Sequence, residues 1–334
     1  MQRLVQEQDL VLEKGNRVEI ESFYAILSTF AKVPLFKDLL QKIIEHLTKN
    51  KETKKLERLS TLSHLYNFWT DSSMRYQLLV AILEYAQVSD QTSAVEVLFD
   101  GIDTRLKELS LNNQQKRKIY SVLLSHIQNG DWASSYVLDI WVKYYSTFEA
   151  NEITKEVTQE AKKTVIYFLK DQQKLSLDML LETAVVKSLK NTTELALLEI
   201  VSDKQYNDYV AFYKKNAKAV DALGLNNNDL QNKMRLLTLT SLASSKSVIT
   251  FDEVTKLLSI PPAEVEMFVV EAITSDFISA RIDQVAKTII VRHADARAFN
   301  KAEWVKLDAK IEKWAGNIQN LLKVVQSVKE KREV

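Results

Sequence analysis

The chain contains no cysteine, and this absence excludes a disulfide framework, a thiolate nucleophile and any metal site built on cysteine. Its 334 residues include only five glycines and three prolines. Sheet-rich folds with many tight turns use far more of both residue types. The scarcity of helix-breaking residues therefore predicts long helices that are joined by short polar turns.

The patterns that mark most enzyme chemistry are also missing. The glycines stand at positions 15, 101, 130, 224 and 316, so they form no phosphate-binding loop. The four histidines, at positions 46, 64, 126 and 293, are not paired at metal-ligand spacing, and no serine has a nucleophile-elbow context. We expect no catalytic residue, no metal and no cofactor, with carboxylates that only folding brings together as the open alternative.

Neither sign of charge is in excess, because 45 basic residues face 44 acidic ones and the formal net charge is +1. This balance argues against a protein that mainly coats nucleic acid or an anionic membrane. No stretch approaches the ~18 uncharged apolar residues of a membrane span. The first 14 residues also lack the pattern of a secretory signal. We therefore expect a soluble protein in the cytoplasm, without a membrane partner.

What the sequence does contain, up to about residue 230, is one amphipathic helical pattern after another. Tyr76, Tyr120 and Tyr167 each stand early in such a segment, 44 and then 47 residues apart. This spacing is typical of two-helix repeats, although three aromatic residues can also align by chance. We predict a HEAT/TPR-like helical solenoid with these tyrosines in its core or between its helices.

From residue 232 onward the pattern is typical of a winged helix. An apolar helix and a short strand precede Thr250 and Glu253, which are spaced as a capping box for the helix that follows. A further helix is predicted at 263–274, and alternating residues then predict a hairpin of strands at 278–283 and 288–292. We expect neighbouring proteins to pack against this hairpin through its apolar residues. The predicted pairing surface consists of Ile278, Ala280, Ile282, Ile289 and Val291.

The predicted second helix of this motif does not suit DNA. It carries Glu264, Glu266 and Glu271 but no lysine or arginine, so it would repel phosphates and lacks the usual guanine contacts. We therefore predict no sequence-specific DNA binding. Basic residues on the wing leave one alternative of a different class, an RNA-binding winged-helix module, in which we expect RNA contact to be indirect or weak.

The last segment holds a heptad seam of apolar residues, whose spacings alternate between three and four without a miss. The seam consists of Trp304, Leu307, Ile311, Trp314, Ile318, Leu321, Val325 and Val328. Folding back on its own domain is one way to bury such a helix, but the strict repeat favours partner helices in a bundle. We predict N-terminal repeats at 1–135, a domain at 136–296 (helical part 136–231, winged helix 232–296) and a bundle helix at 297–334.

Several motifs carry a resemblance to a known family. Four parts of the sequence resemble the PCI-domain proteins. They are the entry helix Lys233–Thr238, the segment Val265–Ile273, the wing with Ile282–Gln284 and Ile290–His293, and the junction Arg297–Trp304. Within that family the junction is most similar to the subunit M proteins of eukaryotic translation initiation factor 3. The resemblance is specific from about Lys233 to Leu321 and covers only a general helical pattern upstream.

The resemblance implies a mainly α-helical PCI protein that acts as a non-catalytic scaffold. In this family neighbouring winged helices pack side by side and the terminal helices gather in a bundle. Other PCI and MPN subunits of the same complex are the implied partners, and the small ribosomal subunit is reached through that complex. A scaffold subunit of the signalosome or of the proteasome lid is the alternative.

Overall fold

The computed structural model describes residues 8–31, 38–49, 52–91, 93, 101–128, 134–172, 176–294, 297 and 301–330. As predicted, the chain is mainly helical and carries one small sheet near its C-terminal end. It forms two compact units, Met1–Glu149 and Ala150–Val334. The Asn-Gly-Asp sequence at 129–131, which predicts a break between helices, lies outside the described residues.

The first unit consists of paired helices around a core of leucine, isoleucine and tyrosine. Helices that follow one another in sequence pack together, as two-helix repeats do. These helices are α1 (Gln8–Lys14), α2 (Arg17–Ala31), α3 (Asp38–Lys49), α4 (Lys55–Phe68), α5 (Ser72–Val88), α6 (Ile102–Glu108), α7 (Asn113–Gln128) and α8 (Ser134–Ser146).

The second unit begins with a further set of helices and ends with the winged helix and a long terminal helix. The helices before the sheet are α9 (Lys155–Lys170), α10 (Asp178–Glu182), α11 (Ala184–Lys187), α12 (Thr193–Asp203), α13 (Tyr206–Ala222) and α14 (Asn227–Ser245). The remaining elements are β1 (Val248–Thr250), α15 (Phe251–Leu258), α16 (Val265–Thr274), β2 (Ile278–Asp283), β3 (Thr288–Ala294) and α17 (Lys301–Glu330).

The predicted winged helix is present, with a three-stranded antiparallel sheet in the order β1-β3-β2. The capping box is also confirmed, because the Thr250 hydroxyl accepts from the Glu253 N–H while the Glu253 carboxylate accepts from the Thr250 N–H. Helix α16 starts at Val265 rather than at the predicted Ala263. The Glu264 N–H instead donates to the Pro261 carbonyl at 2.9 Å, which closes a turn before the helix.

The three tyrosines of the predicted repeat lie in different environments. Tyr120 is buried in the first unit and Tyr76 is half-buried. Tyr167 is 53% exposed, so its predicted place in the core is wrong. Its neighbour Phe168 is fully buried and takes the inward position on α9, while the two rings meet edge to face.

The predicted domain boundary between residues 135 and 136 falls inside α8, which packs against α7 in the first unit. The two compact units instead divide at Glu149 and Ala150. The rest of the predicted division, with a domain that ends at residue 296 and a bundle helix at 297–334, stays a prediction.

Buried cations close helix C-termini in both units. Arg58 is 4% exposed, and its guanidinium donates to the carbonyls of His46 and Leu47 in the last turn of α3 at 3.1 and 3.0 Å. Lys233 is 1% exposed, and its ammonium donates to the carbonyls of Phe168 and Asp171 at the end of α9. The last carbonyls of a helix have no partner within the helix, so these side chains supply the missing donors.

His126 is completely buried in the first unit. Its Nε2 atom lies 2.7 Å from the Leu83 carbonyl of α5, so Nε2 carries the proton and donates this bond. Burial lowers the pKa of His126 because the charged imidazolium would lose its hydration, although the bond to Leu83 acts in the opposite direction. The neutral imidazole is therefore a packing group that ties α7 to α5.

We predict that His126 makes the chain acid-sensitive. Below a pH of about 6.5 the unfolded state binds a proton that the folded state resists, so the free energy of unfolding falls as pH falls. His126→Gln keeps an N–H donor for Leu83 without a titrating group, and should reduce this loss between pH 7 and 5 in chemical denaturation. His126→Asn, with a shorter reach, should be less stable at every pH. An unchanged acid dependence in both variants would contradict the assignment.

We predict that Lys233 makes the stability of the chain depend on pH in the alkaline range. Burial lowers its pKa to about 8, so between pH 8 and the ordinary lysine value the unfolded state binds more protons. The stability of the natural chain relative to Lys233→Met should therefore rise as pH rises through this window. At pH 7 the variant should lose about 1–3 kcal/mol, because two helix-end carbonyls lose their donor. Lys214→Met, at an exposed lysine, is the control and should change stability by less than about 0.5 kcal/mol.

Candidate functional site

Arg297 anchors the segment that leads from the winged helix into α17. Its guanidinium is buried and reaches the C-terminal end of α12. There Nε donates to the Val201 carbonyl at 2.8 Å, Nη1 to the Lys204 carbonyl at 2.6 Å and Nη2 to the Ile200 carbonyl at 2.8 Å. A single side chain thus satisfies three carbonyls at one helix end, where the helix dipole also favours a cation.

The charge on Arg297 persists despite this burial. Loss of hydration lowers its pKa to about 10, and the carboxylate of Asp203 opposes that change. The group is therefore still protonated at neutral pH, and all its bonds to α12 are charge-assisted. Arg297 begins the junction motif of the sequence, and its contacts fix the position of the chain shortly before α17.

The apolar seam of α17 lies largely on the surface. Six of its residues are between 51% and 64% exposed, and Leu307 is half-buried. The six are Trp304, Ile311, Trp314, Ile318, Leu321 and Val325. The side chain of Val328 lies outside the described residues. Monomeric proteins rarely leave so long an apolar stripe in water, and such a stripe is typical of an interaction surface.

The exposed apolar surface of α17 is wider than the predicted seam. Leu322, which the sequence pattern adds to the stripe, is 55% exposed, and Val305 and Val324 are exposed to a similar degree. Gly316 lies inside the helix, and apart from its chain neighbours and the nearby backbone of α17 no atom comes within 4 Å of the place where its Cβ would stand. A helix that is apolar over more than one narrow seam suits a bundle of several helices better than a simple pair.

The predicted pairing surface of the hairpin needs a correction. Ile278 and Ile289 are buried in the core of the winged helix, so no neighbour can reach them. Ala280, Ile282 and Val291 are half-buried on the same inward side. The alternation marked the face that packs on α14 and α16, which the sequence pattern alone does not distinguish from the open face.

The open face of the sheet carries a different apolar pair, which the sequence reasoning missed. Val248 of β1 and Ile290 of β3 are direct cross-strand partners, and they are 50% and 44% exposed. Arg281 of β2 lies opposite Ile290 on the other side. Ile290 could have revealed this apolar pair from the sequence. It stands between the inward residues Ile289 and Val291, so its side chain must point to the opposite face of the sheet. Packing of neighbouring proteins on the hairpin stays a prediction. The parts of the sheet that a neighbour can reach are the pair Val248 and Ile290 and the edge of β2.

Helix α16 presents an acidic and apolar outer face. Met267 is 76% exposed and Val270 is 47% exposed, and the helix has no basic residue. The Gln284 side chain of the wing turn donates to the Glu266 carboxylate, which joins the wing to this helix. The structure therefore gives no cationic surface to the helix that enters the major groove in DNA-binding winged helices.

The part of the chain that the structure describes contains no cluster of three or more histidine and carboxylate side chains able to hold a metal ion. Within the same residues, no helix is long and apolar enough to cross a membrane.

Residues 210–293 match the PCI domain family, and this range runs from α13 to the end of the wing. Helices that lead into a winged helix thus define a PCI-domain protein. Among curated relatives, eukaryotic translation initiation factor 3 subunit M of Dictyostelium discoideum is 28% identical over 95% of this chain and 81% of its own length. The proteins of the same name from Xenopus tropicalis and Pongo abelii are 27% and 25% identical, each over 92% of this chain and 81% of the relative. Over most of its length the chain is thus similar to the subunit M proteins of translation initiation factor 3.

We predict that Arg297→Met destabilises the second unit by about 3 kcal/mol, because three carbonyls at the end of α12 lose a charge-assisted donor. Arg297→Lys keeps the charge but not the fork of donors, so its stability should lie between that of the natural chain and that of Arg297→Met. Chemical denaturation measures the loss, and hydrogen exchange should localise it to the end of α12. Arg292→Met removes an exposed arginine of β3 and serves as the control. Equal stability of Arg297→Met and Arg292→Met would show that the anchor contributes little.

Proposed function

We propose that the chain is a non-catalytic scaffold subunit of the translation initiation factor 3 core. It assembles with other PCI subunits by winged-helix packing and through a helical bundle that α17 joins. The complex then supports binding of the small ribosomal subunit in the cytoplasm. The observation that carries this proposal is the exposed seam of α17.

The energetics of the seam favour its burial against other helices. Full burial of a large apolar side chain contributes about 1.5–3 kcal/mol, and six seam residues between Trp304 and Val325 remain more than half exposed. Because their spacing alternates between three and four, they form one continuous stripe that matches the knobs-into-holes packing of helices. Neighbouring subunits with similar terminal helices are the natural source of the missing packing.

The anchor at Arg297 supports this role. A helix that supplies one strand of a bundle needs a fixed starting point, because each flexible residue before it adds an entropic cost to assembly. The bonds from Arg297 to α12 hold the chain four residues before Lys301, the first residue of α17. The seam is thus presented from an ordered base.

The winged helix offers a second contact of a different kind. Strand β2 is an edge of the sheet and pairs only with β3 among the described strands. An edge strand leaves backbone N–H and C=O groups available to a neighbouring chain. The exposed pair of Val248 and Ile290 adds apolar area on the open face. Together these features fit side-by-side packing of winged helices.

The names of the relatives favour the initiation factor over the signalosome and the proteasome lid. They are subunits of translation initiation factor 3 and match this chain over most of its length, including the first unit. Affinity purification from cells separates the alternatives. Initiation-factor subunits and ribosomal proteins should co-purify with the full chain, whereas cullin-pathway or proteasome proteins in their place would contradict the proposal.

We predict that the double substitution Ile311→Asp and Ile318→Asp detaches the chain from the complex. Both residues already face solvent, so the isolated chain should keep its fold, whereas two carboxylates in a bundle core would be strongly unfavourable. Recovery of the other subunits, measured by quantitative mass spectrometry, should fall at least about tenfold.

The matched control is Gln319→Asp with Asn320→Asp, which adds the same two charges to α17 outside the seam. It should leave co-purification unchanged. Circular dichroism and thermal unfolding of each isolated chain check that the fold is intact. Full recovery of the partner subunits with the seam variant would show that α17 is not the anchor.

A further inference from the structure

A pocket of about 510 Å³ lies within the first unit, and the scaffold role proposed above does not use it. It is formed by residues of α4, α5 and α6, so it is internal to one compact unit. This volume falls in the range of small-ligand and side-chain pockets and is far larger than the space of one water molecule.

Arg75 of α5 is the most unusual residue of the pocket wall. Its guanidinium lies over the Tyr66 ring, with Cζ 4.6 Å from the ring centroid. Arg75 donates no side-chain hydrogen bond and forms no ion pair to any described residue, and its Nε is shielded from solvent without an acceptor. A guanidinium has five N–H donors, and a shielded one normally meets a carboxylate, a phosphate or backbone carbonyls.

Tyr66 of α4 adds a second polar atom without a partner. The residue is 7% exposed, and its hydroxyl has no hydrogen-bond partner in the described chain. Nearly all buried polar groups in proteins are paired, so two unsatisfied donors in one pocket wall are a departure that needs a cause. An acceptor supplied from outside the chain would satisfy both.

The remaining lining combines a buried apolar floor with a few polar and charged side chains. Leu79 and Ile82 are buried and line the pocket from α5, beside the polar side chain of Asn67. Arg105 brings a second cation, and Glu108 brings one carboxylate. Apolar walls with a few converging polar groups are the usual composition of a binding pocket.

We propose that this pocket binds an acidic peptide segment of a partner protein, with a glutamate or aspartate carboxylate on Arg75. The fork of the guanidinium matches the two carboxylate oxygens, while the buried Leu79 and Ile82 form the apolar floor beneath the site. A carboxylate fits better than a phosphate, since Glu108 in the same wall would repel a dianion more strongly than a monoanion. The site is independent of α17.

The test uses the full chain with labelled isoleucine and leucine methyl groups, observed by NMR. The probes are acetyl-Leu-Glu-Leu-amide, its neutral match acetyl-Leu-Gln-Leu-amide, and inorganic phosphate. We expect the glutamate peptide to shift the Leu79 and Ile82 methyl signals in a saturable way. The glutamine peptide and phosphate should bind at least about tenfold more weakly, because each lacks the monoanionic carboxylate.

Three variants locate the site. Arg75→Gln should weaken the glutamate peptide at least about tenfold, and Arg75→Lys should weaken it less, because it keeps the charge without the fork. Lys107→Gln removes an exposed cation of α6 that does not line the pocket, and should bind as the natural chain does. Unchanged methyl signals in the absence of peptide show that a variant is folded.

Several results would overturn the proposal. The first is no saturable shift of the Leu79 and Ile82 signals with the glutamate peptide. The second is equal binding of the glutamine peptide, and the third is tighter binding of phosphate. Equal affinity in a folded Arg75→Gln variant would also remove the assigned role of this residue. None of these outcomes bears on α17, so failure here and failure of the scaffold proposal are distinguishable.

Discussion

Buried cations close three helix C-termini in the described part of the chain. A helix leaves its last carbonyls unsatisfied, and many proteins close that end with a glycine in the left-handed conformation. Only five glycines are available here, and Arg58, Lys233 and Arg297 donate to helix-end carbonyls instead. Each cation loses hydration on burial, which lowers the pKa of Lys233 and Arg297, and charge-assisted bonds offset that cost. The bonds also fix where the next segment starts.

The residues that stabilise the fold are different from those that form the proposed surface for partners. Arg297 holds the chain on α12 with buried bonds, whereas six seam residues of α17 beyond it remain more than half exposed. Changes on the seam therefore have little to disturb in the isolated chain, and changes at Arg297 act on the fold itself. A scaffold benefits from this division, because its partners can compete for one face while its own core stays intact.

Local sequence patterns predicted most of the helices and strands. Tertiary contacts determine which face of each element is buried, and the patterns alone do not show this. The capping box at Thr250, the hairpin and the seam follow from spacing within a few residues, and each element lies where that spacing places it. Alternation on the hairpin showed that Ile278 and Ile289 share their strands' apolar side, but not that this side faces inward. The buried cations were missed because an isolated lysine or arginine in a helical pattern usually marks the solvent face.

The net charge of the chain is near zero, but the winged helix carries carboxylates on α16 and basic residues on its sheet. This arrangement indicates which kind of partner fits the winged helix. Helix α16 exposes Met267 and Val270 beside carboxylates, and the sheet exposes Val248 and Ile290 beside Arg281. Nucleic-acid surfaces need concentrated positive charge, because phosphate contacts supply most of the affinity. Apolar residues edged by single charges are instead the composition of protein interfaces, where charge sets orientation and burial supplies the free energy. The distribution of these residues therefore favours proteins as the direct partners of the winged helix.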